Sequence, residues 1–182
     1  MKTFEVPTRE TVSPANQEIF DKLTKMLGRV PNLFATMAYS NNALGTYLAL
    51  SNAKTSLKAK EKEVINLVVS QVNECAYCLS AHTALAKMNG FTDEQVLEIR
   101  SGEITFDNRL DALAKLAKNF VENHGKPDAT LVDAFFAAGF TRENLVDAIV
   151  VIGDKIITNY LHGVTNVPVD WPQAPALETA GA

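Results

Sequence analysis

A chain of 182 residues, 47% hydrophobic and 21% charged, can bury a core without disulfides or metals, and this composition excludes disordered and fibrous classes. The net charge of −4, with its Lys and Arg residues scattered, excludes the basic stripe of a nucleic-acid binder. No basic segment followed by an apolar run opens the sequence, and no apolar stretch approaches the roughly 18 residues of a membrane span, so a cytoplasmic protein with neither membrane nor nucleic acid as partner is expected.

Residues 1–13 carry Pro7 and several Thr and Ser without apolar period and read as an extended arm. A first helix is expected from Pro14 to Leu27, with Ile19, Phe20, Leu23 and Met26 or Leu27 as its inward stripe and Gly28 as its stop. VPNLFATMAYS and NNALGTYLALSNA predict two short helices whose apolar side chains serve the core. Ser56 is placed to cap a helix through KAKEKEVINLVVSQV, with Val64, Ile65, Val68, Val69 and Val72 on one face.

After the segment ECAYCLSAH, Thr92 and Gln95 form a capping box for a helix ending at Gly102. FDNRLDALAKLAKNFVENHG is amphipathic, with Leu110, Leu113, Leu116, Ala117 and Phe120 inward and Gly125 at its stop; DATLVDAFFAAG follows as another helix. Thr141 caps a long helix through the apolar core IVVI to about Gly163. The total is an all-α bundle of about eight or nine helices with short connections. One domain over 14–172 and a mobile tail over 173–182 complete the expectation.

ECAYCLSAH holds both cysteines of the chain and one of its three histidines. On one helix, at about 100° per residue, Cys75, Cys78 and His82 project within a wedge of about 60°. With Asn73 as N-cap, Cys75 would lie in the first turn, where free backbone N–H groups and the helix dipole favour a thiolate. A disulfide closing so small a loop adds little stability, so a structural staple is the weakest reading. Redox chemistry, core filling by two buried thiols, and a metal site using C-x-x-C-x-x-x-H all remain open on spacing alone. His124 is read as a solvated residue at a helix C-terminus, and His162 and Asn159, which end the last long helix, as capping or interface residues in preference to residues approaching the site.

Widened to Glu63, eleven residues, Cys75-Ala76-Tyr77-Cys78, three residues and His82, the pattern resembles the AhpD-like alkylhydroperoxidases of the carboxymuconolactone decarboxylase superfamily. GRVPNLFATMAYSNNALGTYLAL and NYLHGVTNVPVDWP look like its longer, peroxidase-related members, so the resemblance covers roughly residues 15 to 172. It implies an AhpD-like helical fold assembling as a homo-oligomer, trimer or hexamer, and a thiol peroxidase acting on small hydroperoxides with no metal, haem or other bound cofactor. It further implies that Cys78 attacks the peroxide, Cys75 resolves the sulfenic acid, Glu63 and His82 relay protons, and an external dithiol or lipoylated protein restores the thiols.

Helix position alone favours Cys75 as the more acidic thiol, whereas the resemblance and the nearness of His82 favour Cys78. Tyr77 stands where the best-known peroxidase members carry a histidine, which implies a weaker or differently routed relay. Glu63 shares a helix face with Asn66, Leu67 and Ser70, opposite the valine face, and is either solvated or covered by the cysteine helix or a neighbouring subunit. Two other readings accompany the peroxidase: a non-catalytic redox sensor or interaction protein, and decarboxylase or lactone chemistry, which does not rely on a cysteine pair.

Overall fold

The computed structural model describes residues 4–177. Among these, nine α-helices and one short 3₁₀ turn, Arg9–Thr11, make up the regular structure, with no strand: α1 Pro14–Leu27, α2 Asn32–Met37, α3 Ala43–Ser51, α4 Ala59–Val72, α5 Ala76–Met88, α6 Asp93–Ser101, α7 Asn108–Glu122, α8 Ala129–Ala137 and α9 Arg142–Thr165. The all-α expectation holds, and no helix among the described residues is long and apolar enough to cross a membrane.

Two compact units divide these helices. One contains the N-terminal helices up to Lys54 with Tyr160–Asp170, and the other is built on Thr55–Asn159 with the stretch from Trp171. The domain expected over 14–172 spans residues of both.

In the first unit, Ser13 caps α1 by accepting the Asn16 N–H, and Gly28 ends it with φ 76°, a left-handed conformation that glycine adopts without a Cβ clash. Phe20 and Leu23 are buried with Ala35, Met37, Leu44 and Tyr47, but Met26 and Leu27 face outward, because the inward stripe of a helix this short ends one turn earlier. Asn16 is fully buried and donates to the carbonyls of Ala38 and Ser40. The expected arm is tied down: Phe4 N–H donates to Thr165 O at 3.1 Å and the Tyr39 hydroxyl donates to Glu5 O at 2.9 Å.

The second unit packs around α4. Val64, Ile65, Leu67, Val68 and Val69 are fully buried with Val96, Ile99, Leu113, Leu116 and Phe135. Ser56 does not cap α4. The N-cap is Lys58, whose N–H is accepted by Glu61 Oε2 at 2.8 Å, while Ser56 donates through its N–H and hydroxyl to Asp147 on α9. Two residues too far upstream to reach the first helical N–H groups, Ser56 serves to hold α9 instead. The capping box of α6 and the Thr141 cap of α9 form as expected: Thr92 accepts from Gln95 N–H, and Thr141 from Asn144 N–H.

Three differences from expectation bear on function. First, IVVI is only half core: Ile152 is buried and Val151 packs against the core, but Ile149 and Val150 are exposed, as are Val146 (61%), Ile157, Tyr160 (64%) and Val164. On a helix these positions, with exposed Gly153, lie along one side of α9, while Ala148, Ile152, Lys155 and Asn159 lie buried along the opposite side. Second, Ala174 N–H donates to Ser80 and Pro175 O accepts from buried Arg100, so 173–177 of the expected tail is held; residues 178–182 lie outside the described residues. Third, α4 ends in a Schellman closure: Glu74 N–H reaches Gln71 O and Cys75 N–H reaches Ser70 O at 2.9 Å, with Glu74 at φ 51°. Asn73 therefore belongs to the end of α4 and not to the start of α5.

Two variants test this description by urea denaturation. Ile65→Ala, emptying a fully buried position in the α4 core, is expected to cost about 2–5 kcal/mol. Glu74→Gly relieves a left-handed non-glycine residue at an exposed position and is expected to leave stability unchanged or raise it by up to about 1 kcal/mol.

Candidate functional site

The closure of α4 decides where the cysteines stand. Because Asn73 and Glu74 are consumed in ending α4, Cys75 becomes the N-cap of α5, with extended φ −82° and ψ 93°, and its sulfur accepts the Cys78 N–H at 3.3 Å. The expectation that Asn73 caps the helix and Cys75 lies in its first turn is thus corrected by one helical boundary. Cys78 is the cysteine in the first turn, and the dipole argument passes to it.

Both thiols are free and buried, and Cys75 Sγ–H points at Cys78 Sγ across 2.7 Å. That hydrogen bond is the largest influence on both groups. It lowers Cys78 to about 7, with Lys155, Asn159 and Thr158 adding to it against the cost of burial. Donation to Cys78, then burial, push the Cys75 thiol far up. Of the two thiols, Cys78 is therefore the one whose ionisation the surroundings favour.

Glu63 and His82 form a second pair. Glu63 is 8% exposed, so its face of α4 is covered by the cysteine helix rather than solvated, and His82 Nδ1 lies 2.8 Å from its Oε2. Asn66 Nδ2 donates to Oε1 at 3.3 Å. Burial opposes ionisation of Glu63, but the His82 ring, Lys155 and Asn66 together hold the carboxyl below its ordinary range. For His82, burial and then Lys155 outweigh the attraction of Glu63, and its pKa falls. A neutral ring donating from Nδ1 to a carboxylate leaves Nε2 as a proton acceptor, the tautomer that acid–base work requires.

The third contribution comes from α9. Asn159 Nδ2 donates to Ser70 Oγ at 3.3 Å and its Oδ1 accepts from Asn73 Nδ2 at 3.0 Å, joining α9 to the end of α4 just before the cysteine turn. The capping or interface role expected for Asn159 is thus played between α9 and the end of α4. Lys155, 4% exposed, and Thr158, also buried, complete this face. Sequence reading missed both, although buried polar residues spaced i, i+3, i+4 in an apolar helix are a legible signal.

The remaining histidines lie elsewhere. His124 takes the left-handed position after α7 with φ 52°, and His162 Nε2 lies 3.3 Å from Val167 O. Tyr77 is buried and offers no neutral-pH base. Among the described residues, no three His, Cys, Asp or Glu side chains are grouped to hold a metal ion.

Residues 40–119 match the Carboxymuconolactone decarboxylase family. No curated protein is similar enough in sequence to match. Among solved structures, a peroxidase-related protein from Silicibacter sp. TM1040 is 22% identical with TM-score 0.79, over 91% of this chain and 90% of that one. A peroxidase-related protein from Ralstonia eutropha JMP134, described as an alkylhydroperoxidase AhpD core, is 18% identical with TM-score 0.82, over 92% and 91%. A variant of the debrominase Bmp8 in complex with 2,3,4-tribromopyrrole is 15% identical with TM-score 0.76, over 93% of each. The helical arrangement is therefore the AhpD-like fold.

Two titrations test the site. With limiting iodoacetamide, mass analysis is expected to find the label on Cys78 before Cys75, with a rate midpoint near pH 7; equal labelling would overturn the assignment. Because His82 titrates lower in the folded than in the unfolded chain, its contribution to stability is full above about pH 6.5 and is lost as pH falls below it. Urea midpoints should decline from that pH downward, and the His82 ring resonances should move only below it.

Proposed function

We propose that this AhpD-like chain of the carboxymuconolactone decarboxylase superfamily is a thiol peroxidase that reduces small hydroperoxides through a Cys75–Cys78 dithiol cycle. The observation that carries the reading is the buried cysteine pair, with Cys75 Sγ donating to Cys78 Sγ across 2.7 Å and so favouring ionisation at Cys78. Cys78 Sγ attacks the outer oxygen of the peroxide, the O–O bond breaks, and the alkoxide takes a proton to leave as the alcohol. Cys75 then displaces water from the Cys78 sulfenic acid, forming the disulfide. An external dithiol or a lipoylated protein returns both sulfurs to thiols and is itself oxidised. No bound cofactor enters the cycle.

Glu63 and His82 serve as the proton relay, His82 through Nε2 and Glu63 by orienting the ring from Nδ1. Cys78 is favoured as the attacking sulfur both by its first-turn position and by the proton balance of the pair. A redox sensor would form the same disulfide without turnover, and decarboxylase or lactone chemistry would survive loss of the cysteines.

Self-association belongs to the same proposal. The exposed side of α9, with Val146, Val150, Ile157, Tyr160 and Val164 in helical register and Gly153 leaving open space among them, suits a second copy of this chain presenting the same face.

Peroxide titration with mass analysis tests the chemistry. The native chain should lose two hydrogens, Cys75→Ser should accumulate a trappable sulfenic acid on Cys78, and Cys78→Ser should remain unoxidised. With dihydrolipoamide, the native chain alone should turn over. Absence of any sulfenic acid or disulfide at millimolar peroxide would sink the proposal. For assembly, Val150→Glu with Ile157→Glu is expected to reduce the sedimenting mass to that of a monomer; a native chain already monomeric would refute it.

A further inference from the structure

Arg100, in the last turn of α6, is only 6% exposed. Among the described residues its acceptors are two neutral oxygens: Nε donates to Gln71 Oε1 at 2.9 Å, and Nη1 donates to Pro175 O at 2.6 Å. A buried cation held by neutral acceptors gains less than one held by a carboxylate, so stability alone is a poor account of its place. What the planar guanidinium does supply is a fixed separation between the two groups it binds.

One of those groups belongs to the turn that carries the cysteines, the other to the strap of residues 171–177. Gln71 lies in the last turn of α4, and its carbonyl accepts Glu74 N–H at 3.1 Å, beside the bond that joins Cys75 N–H to Ser70 O. In the strap, Ala174 N–H donates to Ser80 Oγ at 3.2 Å, next to the Pro175 carbonyl that Arg100 holds. Ser80 is buried on α5, two residues after Cys78 and so about 200° around the helix from it. The strap therefore grips α5 on the side away from Cys78, and through Arg100 it grips the end of α4. Pro172 and Pro175 fix two of its backbone angles, so little freedom is lost in holding it.

We propose that Arg100 is a positioning residue for the dithiol, and that the strap it holds clamps the α4–α5 turn so that Cys75 Sγ stays against Cys78 Sγ. The inference rests on the reading of Cys75 and Cys78 as a reactive dithiol, and it adds what keeps the pair set for closure. The sulfurs stand 2.7 Å apart, and Cys75 Sγ also accepts Cys78 N–H at 3.3 Å. Closing a disulfide from that arrangement needs little backbone movement. A loosened turn leaves the sulfurs apart for more of the time, and closure then costs conformational freedom that the clamp has already removed. The clamp thus favours the disulfide over the dithiol.

The test is the equilibrium of the full chain with dithiothreitol at varied ratios of oxidised to reduced reagent, the disulfide being quantified by mass analysis after alkylation. In that exchange Cys75 and Cys78 form the S–S bond and pass two hydrogens to oxidised dithiothreitol, whose own disulfide opens to the dithiol. Arg100→Met, which keeps the stem and loses both hydrogen bonds, is expected to weaken the disulfide about tenfold, or about 30 mV. Because the two bonds act in series, Gln71→Leu is expected to match it, and the double variant to be no weaker than either. Gln71→Glu, which keeps an acceptor oxygen, is expected to retain the native constant. A folded Arg100→Met with the native constant, or a Gln71→Glu as weak as Gln71→Leu, would overturn the proposal.

Should Arg100→Met not fold, Ser80→Ala carries the test from α5, since it removes the acceptor of the Ala174 N–H. It is expected to weaken the disulfide about threefold, the worth of one neutral hydrogen bond, and an unchanged constant would refute the clamp. Amide hydrogen exchange locates the change: Cys75 N–H should exchange faster in the variants while Leu113 in α7 keeps its native rate, and equal acceleration at both would mark a general loss of stability and overturn the inference. No peroxide enters these measurements. A chain that forms the disulfide without peroxide turnover loses only the proposed function, and one that forms no disulfide loses both.

Discussion

The six-residue closure that ends α4 is the constraint on which the site depends. Ser70 O captures Cys75 N–H, Glu74 adopts the left-handed conformation, and the chain turns straight from one helix into the next. This reversal sets Cys75 at the N-cap, gives Cys78 the first-turn position, and brings His82 back to Glu63. Moving the boundary by even one residue would rotate α5 by about 100° and separate both pairs. The fully buried α4 face supports the geometry from beneath, because its β-branched side chains leave the helix little freedom to shift.

The electrostatics follow from that geometry. Glu63 and His82 are both buried and paired at 2.8 Å, and each offsets part of the desolvation of the other. The neutral partners carry as much of the design as the charged ones. Asn66 fixes Glu63, Asn159 links Ser70 to Asn73 at the end of α4, and the Cys75 thiol donates to Cys78. The same helix that brings Lys155 and Asn159 inward turns Val146, Val150 and Ile157 outward, so α9 serves the site with one side and presents an apolar surface with the other.

The divergence among proteins of this fold is consistent with such an arrangement. A peroxidase-related protein and a debrominase share the helical frame at 22% and 15% identity with this chain. A shared frame fixes the fold and leaves the chemistry to the side chains each chain carries.

Much of this was legible in the sequence, because local signals carry it. Gly28 and Gly102 stop their helices, Thr92 and Thr141 cap theirs, and 3-4 apolar spacing marks the core sides of α4 and α7. Glu63, Cys75, Cys78 and His82 were likewise identifiable, since their spacing in two successive helices is a property of the chain itself. Tertiary structure decided the rest. Whether Asn73 would start α5 or end α4 depended on a hydrogen bond back to Ser70; whether Ser56 would cap or cross-link depended on Asp147. The burial of Lys155 and Asn159 and the exposure of Ile149 and Val150 depended on which side of α9 met its neighbours. Helical period gives a helix its two sides, but only packing chooses which of them is inside, and on α9 that choice buried a lysine and an asparagine.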